Sequence, residues 1–321
     1  LHYEPRCFTA WPPNKQTLVQ VAGNDIPFGD VTFQIGGVHV GFEICEDAWV
    51  EERPAARLAS RKVGVLLNPS ASHFAFGKHQ IRRQLLMAGS QTIHGAYVYA
   101  NLVGNEAGRA IYDGDTMIGV DGVVVASGPR FSYQDVVLTT AVVDVPVAES
   151  TTAVCCEFEL FETAEPVAAD AVEECAWETS MVLKEEEFSR ALSLALFDYM
   201  RKSYSRGFVL SLSGGADSAT VAVLVKLMID FAVKEIGLSG VAHRLRHCFE
   251  NSVPETAEKW VGELLWCVYQ ATRNSGEITR DAAESIAHAI GAQFYELNVD
   301  GVVEEYKSLV SGALQRELTW D

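Results

Sequence analysis

A glycine-rich turn between an apolar strand and a helix is the feature that most constrains the fold of this chain. Residues 207–212 are short, apolar and typical of a strand, whereas residues 216–231 place apolar side chains at helical spacing. The turn between them, residues 213–218, reads Ser-Gly-Gly-Ala-Asp-Ser. It therefore lies at a helix N-terminus, where unpaired backbone N–H groups and the helix dipole attract anions and glycines let a phosphate approach closely. The pattern predicts a pyrophosphate-binding loop in an α/β domain.

Asp217 is the unusual member of this loop, because a carboxylate beside a phosphate is repulsive unless a cation lies between them. We interpret Asp217 as a Mg²⁺ ligand, with Ser213 and Ser218 donating to phosphate oxygens. A second interpretation stays open, in which Ser213 and Asp217 only cap the helix and the glycines only make the turn. The loop lacks the Lys of the GxxxxGK[ST] phosphate loop, which argues against the kinases and GTPases that use that motif.

The hexapeptide resembles the PP-loop of the ATP pyrophosphatases. These enzymes split ATP between the α and β phosphates and transfer AMP to a substrate oxygen, which activates the substrate for attack by a nitrogen or sulfur nucleophile. The resemblance implies an ATP-binding segment made of Ser211, Leu212, Ser213, Gly214, Gly215, Ala216, Asp217 and Ser218.

Length, charge and cysteine content limit the class of protein and of partner. The 321 residues favour two domains, and a net charge of −18 disfavours binding to nucleic-acid phosphates. No apolar run approaches the roughly 20 residues that a membrane helix needs, and no export signal opens the sequence. Seven cysteines without a CxxC pair suit neither a zinc site nor a disulfide framework. We expect a cytoplasmic protein whose partners are small molecules or other subunits.

Strand and helix patterns alternate in both halves of the chain, which predicts two α/β domains. The predicted strands are at 38–44, 63–68, 96–101, 207–212, 264–269 and 293–297, with three more around Met117, Val124 and Val137; the predicted helices are at 52–61, 79–93, 185–202, 216–231, 276–290 and from Gly301. An irregular stretch is expected around 243–254. We predict an α/β sandwich at 1–146, a linker at 147–184 and a doubly wound parallel sheet at 185–321, with the ligand site beyond the carboxyl ends of its strands.

Cys45 is the second candidate for chemistry. It closes a predicted buried strand and is followed at once by Glu46, Asp47 and a Trp. A cysteine at such a turn is displayed like a nucleophile, although a free thiol is only slightly ionised at neutral pH and needs a nearby base or cation. The alternative from this residue alone is a structural cysteine, because free Cys is among the most buried residue types.

Five segments around Cys45 occur in the order of a nitrilase-like glutaminase domain: 4–8 (EPRCF), 27–30 (PFGD), 41–49 (GFEICEDAW), 68–72 (NPSAS) and 112–114 (YDG). A nitrilase-like domain followed by a PP-loop domain resembles the family of glutamine-dependent NAD⁺ synthetases along nearly the whole chain. Residues 267–275 (CVYQATRNS) are also similar to the segment after the second strand of that family's synthetase domain.

The resemblance implies a division of labour between two sites. Cys45 would attack the side-chain amide of glutamine and release ammonia, while Glu46, Ser72 and Lys78 would hold the glutamine. For Lys78, a solvated lysine at a helix start is the equal alternative. The PP-loop domain would use ATP and Mg²⁺ to adenylate deamido-NAD⁺, and ammonia would displace AMP to give NAD⁺. The family also passes ammonia through a tunnel and assembles into homo-oligomers.

Two departures from the family pattern bear on completeness. The family's general-base Glu and catalytic Lys precede the segment at 4–8, and its synthetase domain continues beyond the position of Asp321. We therefore expect a chain truncated at both ends with partial sites. Two other functions stay open, an amidotransferase for another adenylated carboxylate and a non-catalytic nucleotide-binding fragment.

Overall fold

The computed structural model describes residues 9, 11–106, 109–146, 153–156, 175–249 and 253–318. The chain divides into two compact units. The first comprises Leu1–Val103, Tyr112–Phe131 and Val136–Thr179, and the second comprises Gly104–Ile111, Ser132–Asp135 and Ser180–Asp321. Most of the predicted linker at 147–184 lies outside the described residues, so its bounds and those of the two predicted domains stay predictions.

A mixed β-sheet organises the first unit. Up to residue 156 the strands are β1 (Gln16–Val21), β2 (Asn24–Gly29), β3 (Phe33–Ile35), β4 (Val38–Phe42), β5 (Val65–Ser70), β6 (Ala96–Asn101), β7 (Val103–Glu106), β8 (Ala110–Asp113), β9 (Thr116–Val120), β10 (Val123–Ser127) and β11 (Val154–Cys156). The helices are α1 (Pro54–Ser60) and α2 (Lys78–Ile93), and a 3₁₀ turn spans Cys45–Trp49. Within the described residues the sheet order is β10-β9-β6-β5-β4-β3-β11, while β1–β2 and β7–β8 pair separately.

The centre of this sheet sets the geometry of the cysteine site. Strands β4, β5 and β6 are parallel neighbours, so their carboxyl ends lie at one edge. Helix α2 covers the sheet because Leu86 and Ile93 lie on its buried face and pack with Leu66, Tyr97 and Met117 in a common core. Residues that follow β4 and β5 are consequently held at the edge of a rigid core.

The second unit contains a three-stranded parallel sheet. From residue 183 onward its elements are α3 (Leu183–Ser203), β12 (Phe208–Ser211), α4 (Ala216–Arg244), α5 (Ala257–Leu264), β13 (Leu265–Ala271), α6 (Glu277–Ile290), β14 (Gln293–Asn298) and α7 (Asp300–Leu314). The sheet order is β12-β13-β14, and the connections run through helices. Helix α4 is interrupted at Gly237, whose φ of 67° and ψ of 170° are not helical. Trp260, Met228 and Ile229 are fully buried in the core of this unit.

The α/β class is confirmed, with some differences in the elements. No strand forms around Val137, because residues 136–146 join no ladder in the described structure. The stretch expected to be irregular around 243–254 begins with the last turn of α4 and a short 3₁₀ turn, Arg246–Cys248. In the part of the chain that is described, no helix combines the length and apolarity required to cross a membrane.

Candidate functional site

Cys45 lies at a strained turn directly after β4. Its φ is 50°, in the left-handed region that residues other than glycine rarely adopt, and it begins the 3₁₀ turn. Such a conformation costs about 1–3 kcal/mol and persists only where the surrounding structure fixes it. The side chain is half-buried. The thiol is thus displayed at the carboxyl edge of the sheet, as the sequence predicts for a nucleophile.

Two side chains clamp the backbone of this turn. Asn68 Oδ1 accepts a hydrogen bond from the Cys45 amide at 3.2 Å, and the Asp47 carboxylate accepts one from the Ile44 amide at 2.9 Å. Asp47 also donates its own amide to the Ile44 carbonyl at 3.0 Å. The turn is therefore fixed from the neighbouring strand and from within.

Lys78 lies close enough to Cys45 to interact with it electrostatically. It opens α2, and its ammonium donates to the His73 carbonyl at 3.0 Å while lying 5.4 Å from the centre of the Trp49 ring. Burial lowers the pKa of Lys78 and the charge of Arg82 lowers it further, whereas Asp113 and Cys45 act in the opposite direction. The structure thus brings together two predicted site residues, with a cation near the thiol.

Ser72 is buried and its backbone is held on both sides. Its amide donates to Asn101 Oδ1 at 2.8 Å, and its carbonyl accepts from Asn101 Nδ2 at 2.9 Å and from Arg82 Nη2 at 2.8 Å. Arg82 is itself fixed by ion pairs of 2.6 Å to Asp113 and 3.3 Å to Asp115. This buried network positions the segment between Ser72 and Lys78. By contrast Glu46, the remaining predicted glutamine contact, is exposed on the 3₁₀ turn.

The predicted phosphate loop lies between β12 and α4. The Ser213 amide donates to Ser218 Oγ at 3.2 Å, the Gly215 amide donates to Ser213 Oγ at 3.3 Å, and Ser218 Oγ donates to the Gly215 carbonyl at 3.2 Å. Gly214 has φ +80°, and a Cβ built there would lie 2.1 Å from the carbonyl oxygen of Thr279. Gly214 is therefore required both by its backbone conformation and by the close approach of α6.

The remaining residues of the predicted ATP segment differ in exposure. Leu212 is fully buried, and its amide donates to the Val268 carbonyl at 2.9 Å, so it anchors the loop to β13. Ser211 Oγ donates to Gln270 at 3.1 Å. Ala216 and Asp217 are exposed in the first turn of α4. The described residues contain no cluster of three or more His, Cys, Asp or Glu placed to hold a metal ion.

Sequence reasoning did not identify the side chains that hold the cysteine site in place. Arg82, Asn101 and Tyr97 are polar and lie in a predicted helix or strand, but in none of the five segments that mark the cysteine site. Arg82 and Tyr97 each have an exposed fraction of 1%. A polar side chain on the apolar side of a helix or strand is the signal that could have found them.

Comparisons with known families match each part of the chain separately. The carbon-nitrogen hydrolase family matches residues 2–153, and the NAD synthase family matches residues 188–315. The first match contains Cys45, Ser72 and Lys78, and the second contains the loop at 213–218.

Curated relatives match across both parts. The chain is 32% identical to the glutamine-dependent NAD(+) synthetase of Oryza sativa subsp. indica, over 95% of this chain and 45% of that protein, and 31% identical to that of Mus musculus, over 98% and 47%. The chain therefore spans about half the length of the curated relatives it matches.

Solved structures give the same result. A glutamine-dependent NAD(+) synthetase from Cytophaga hutchinsonii matches with a TM-score of 0.77 and 39% identity, over 100% of this chain and 49% of that one. The fold is also similar to that of the enzyme from Acinetobacter baumannii, solved with adenosine diphosphate, with a TM-score of 0.60 and 20% identity over 98% of this chain and 46% of that one.

Proposed function

We propose that this chain, which belongs to the family of glutamine-dependent NAD(+) synthetases, joins a glutamine-hydrolysing site at Cys45 to an ATP-dependent amidating site at residues 213–218. The acceptor is deamido-NAD⁺ and the products are NAD⁺, AMP, pyrophosphate and glutamate. The observation that carries the proposal is the pairing of a cysteine held at φ 50° in the hydrolase part with a glycine-rich strand-to-helix loop in the synthase part.

The proposed glutaminase reaction starts at the Cys45 sulfur. The thiolate attacks the side-chain amide carbon of glutamine, the C–N bond breaks, and ammonia leaves with a proton while a thioester forms. Water then cleaves the thioester to glutamate and restores the thiol. The nearby positive charge of Lys78 attracts the negative charge that the sulfur carries as it attacks. The general base implied by the resemblance has no counterpart among the described residues and stays a prediction.

Glutamine recognition is assigned to the residues on either side of that thiol. Lys78 carries the positive charge that suits the α-carboxylate of an amino acid, and Ser72 presents a backbone held in place by Arg82 and Asn101. Glu46 is exposed beside the nucleophile and has the charge that suits the α-ammonium group. The three roles stay predictions.

The proposed amidating site uses the loop as a phosphate cradle. The N-terminus of α4 directs backbone N–H groups toward an anion, and the hydroxyls of Ser213 and Ser218 lie beside them. The carboxylate of deamido-NAD⁺ attacks the α phosphorus of ATP and releases pyrophosphate. Ammonia then attacks the acyl carbon and AMP leaves. Nucleotide in the Acinetobacter baumannii relative supports this use of ATP.

The donor set at the loop fits a magnesium ion. Mg²⁺ is usually bound by one or two carboxylates together with phosphate oxygens and water, so a single exposed carboxylate next to a phosphate loop is sufficient. Asp217 is that carboxylate. When bound, the ion would neutralise negative charge on the phosphates.

The wider setting is also a proposal. The partners are glutamine, ATP and deamido-NAD⁺, with no nucleic acid and no membrane, and the protein is a cytoplasmic homo-oligomer. The net charge of −18 supports small-molecule partners over nucleic acid.

The test supplies deamido-NAD⁺, ATP and Mg²⁺ with either glutamine or ammonium chloride, and measures NAD⁺ and pyrophosphate. We expect NAD⁺ in both arms for the wild type and only in the ammonium arm for Cys45→Ser. Asp217→Asn should lower the formation of NAD⁺ and pyrophosphate with either nitrogen source. Separately, trapping of Cys45 with a glutamine-like electrophile and titration with ATP report on the two sites without turnover.

Three results would redirect the proposal. Pyrophosphate release with another acid but not with deamido-NAD⁺ would change the acceptor. ATP binding without trapping of Cys45 would leave only the nucleotide site. Absence of both ATP binding and trapping in a folded chain would refute the proposal.

A further inference from the structure

A chain of buried polar side chains connects three strands to the strained cysteine. Glu43 follows β4, Asn68 lies in β5 and Tyr97 lies in β6, and their exposed fractions are 0%, 1% and 1%. Because β4, β5 and β6 are adjacent in the sheet, these side chains meet only in the folded protein. Buried polar groups of this kind are expensive unless each finds a hydrogen-bond partner.

Glu43 fixes the direction of the first hydrogen bond. Its carboxylate pairs with the Arg53 guanidinium at 2.7 Å and accepts from the Ala55 amide at 3.2 Å. A paired carboxylate is an acceptor only, so the Tyr97 hydroxyl, which lies 2.7 Å from Oε2, must donate its proton to it. Burial raises the pKa of the Tyr97 hydroxyl and Glu43 raises it further, so that proton stays in place at neutral pH.

The direction of the second hydrogen bond follows from the first. The Tyr97 hydroxyl has a single proton, and it donates that proton in the hydrogen bond to Glu43. The Tyr97 oxygen can therefore only accept from the Asn68 side chain, which lies 2.8 Å away. The amide group of Asn68 is therefore oriented with its nitrogen toward Tyr97. Its oxygen faces the other way, where it accepts from the Cys45 amide at 3.2 Å and from Ser70 Oγ at 2.6 Å.

We propose that Tyr97 and Asn68 are positioning residues for the nucleophile: the hydroxyl of Tyr97 orients the amide of Asn68, and the oxygen of Asn68 holds the Cys45 amide in its left-handed conformation. This role rests on the proposed glutaminase function of Cys45. If the Asn68 amide turns over, its NH₂ group faces the Cys45 N–H, donor meets donor, and the contact that holds the turn is lost.

The contacts between Asp47 and Ile44, which also hold the turn, make the role of Tyr97 testable without unfolding the protein. The contacts between Asp47 and Ile44 stay intact when Tyr97 is changed, so the 3₁₀ turn keeps its local support. Tyr97→Phe removes one oxygen atom and retains the ring in the core, which limits the loss of packing. The matched control is Tyr133→Phe, because the Tyr133 hydroxyl is also buried but has no hydrogen-bond partner within the described ranges.

The first measurement is amide hydrogen exchange in the full chain. In Tyr97→Phe we expect the Cys45 amide to exchange about tenfold faster or more, as for the loss of one buried hydrogen bond, while the amides of Leu66 and Val98 in β5 and β6 keep their protection. Tyr133→Phe should leave Cys45 unchanged. Equal exchange at Cys45 in wild type and Tyr97→Phe would overturn the proposal.

The second measurement separates positioning from stability. Glutamine hydrolysis by Tyr97→Phe should show a kcat reduced about tenfold with KM within about twofold, because the substrate contacts are untouched. In an Asn68→Ala background Tyr97→Phe should add no further loss, since Tyr97 acts through Asn68. Fully additive effects would overturn the proposal. If Cys45 protection falls in Tyr97→Phe but the wild type hydrolyses no glutamine, the proposed function fails while the hold of Tyr97 on the Cys45 backbone is supported.

Discussion

Replacing Gly214 by alanine tests whether the predicted phosphate loop depends on its backbone as the structure indicates. Gly214 has φ +80°, and a Cβ there would meet the Thr279 carbonyl oxygen at 2.1 Å and its carbon at 2.9 Å. An ordinary contact begins at 3.4 Å, so the start of α6 would have to move away from the loop. The neighbouring Gly215 provides the control, because its φ is −85° and its added Cβ would find only Ser213 Oγ at 3.4 Å.

Two effects add in the Gly214→Ala variant. A left-handed conformation costs a residue with a Cβ about 1–2 kcal/mol, and forcing an extra methyl into a packed site costs about 1–3 kcal/mol. The expected loss is about 3 kcal/mol, or about a hundredfold in the equilibrium for opening the second unit. Gly215→Ala should lose less than about 1 kcal/mol, the usual range for a change at a helix N-cap.

Hydrogen exchange at the Leu212 amide measures this difference locally. That amide donates to the Val268 carbonyl at 2.9 Å, so it exchanges only when β12 separates from β13. The affinity for ATP, measured by calorimetry on the same variants, should fall strongly for Gly214→Ala and only slightly for Gly215→Ala. If the opening free energies measured at the Leu212 amide agree within about 0.5 kcal/mol between Gly214→Ala and Gly215→Ala, this result refutes the argument. The difference expected from the backbone angle of Gly214 alone is larger.

Three further predictions concern charge. Lys78→Gln should slow alkylation of Cys45 at neutral pH, because it removes the cation near the thiol, whereas Lys78→Arg should retain most of the rate. Equal alkylation rates for wild type and Lys78→Gln would contradict a role for this cation. Asp217→Asn should weaken ATP binding about tenfold in Mg²⁺ and little in its absence, because only the magnesium complex needs the carboxylate; calorimetry with and without Mg²⁺ decides, and equal losses would exclude Asp217 as a ligand. Burial opposes ionisation of Asp115, but its hydrogen bond to His79 and the charges of His79 and Arg82 lower its pKa below the ordinary 3.8. The ionised Asp115 therefore contributes fully to the stability of the folded state above pH 3.8, and this contribution is lost as the pH falls through the lowered pKa of the folded state. Asp115→Asn should therefore flatten the acid side of the stability curve of the first unit in urea titrations, and an unchanged acid limb would show that the carboxylate is not the cause.

The central strands of both units could be predicted because their side chains are apolar on successive residues. The predicted strands at 63–68, 96–101 and 264–269 overlap β5, β6 and β13, since buried parallel strands give continuous apolar runs. The predicted strands at 207–212 and 293–297 also overlap observed strands, β12 and β14, although these are the outer strands of their sheet and are largely exposed. The hairpin of β1 and β2 was not predicted, because Leu18, Ile26 and Phe28 are exposed and follow no core-facing pattern. The expected strand at Val137 has the composition of a strand but no partner in the described ladders.

The candidate site likewise has parts that could be predicted from the sequence and parts that could not. Cys45 and the loop at 213–218 could be found from sequence because each lies within a short local motif. The side chains that hold the Cys45 turn could not be found from sequence. Glu43, Asn68 and Tyr97 are separated by 25 and 29 positions and meet only through strand pairing. Their hydrogen-bond directions depend on burial and on the pairing with Arg53, which sequence spacing does not encode.

The break in α4 has a consequence for how this chain can vary. The attraction of a helix N-terminus for phosphate falls off within its first turn, so the part of α4 beyond Gly237 contributes nothing to the loop at 213–218. A Cβ at Gly237 would meet no atom within 4 Å, and the residue bends the chain in open space. The final segment of α4 is constrained by packing instead, because Val241 is fully buried. This glycine therefore separates residues whose variation would alter the loop at 213–218 from residues whose variation would alter the core of the second unit.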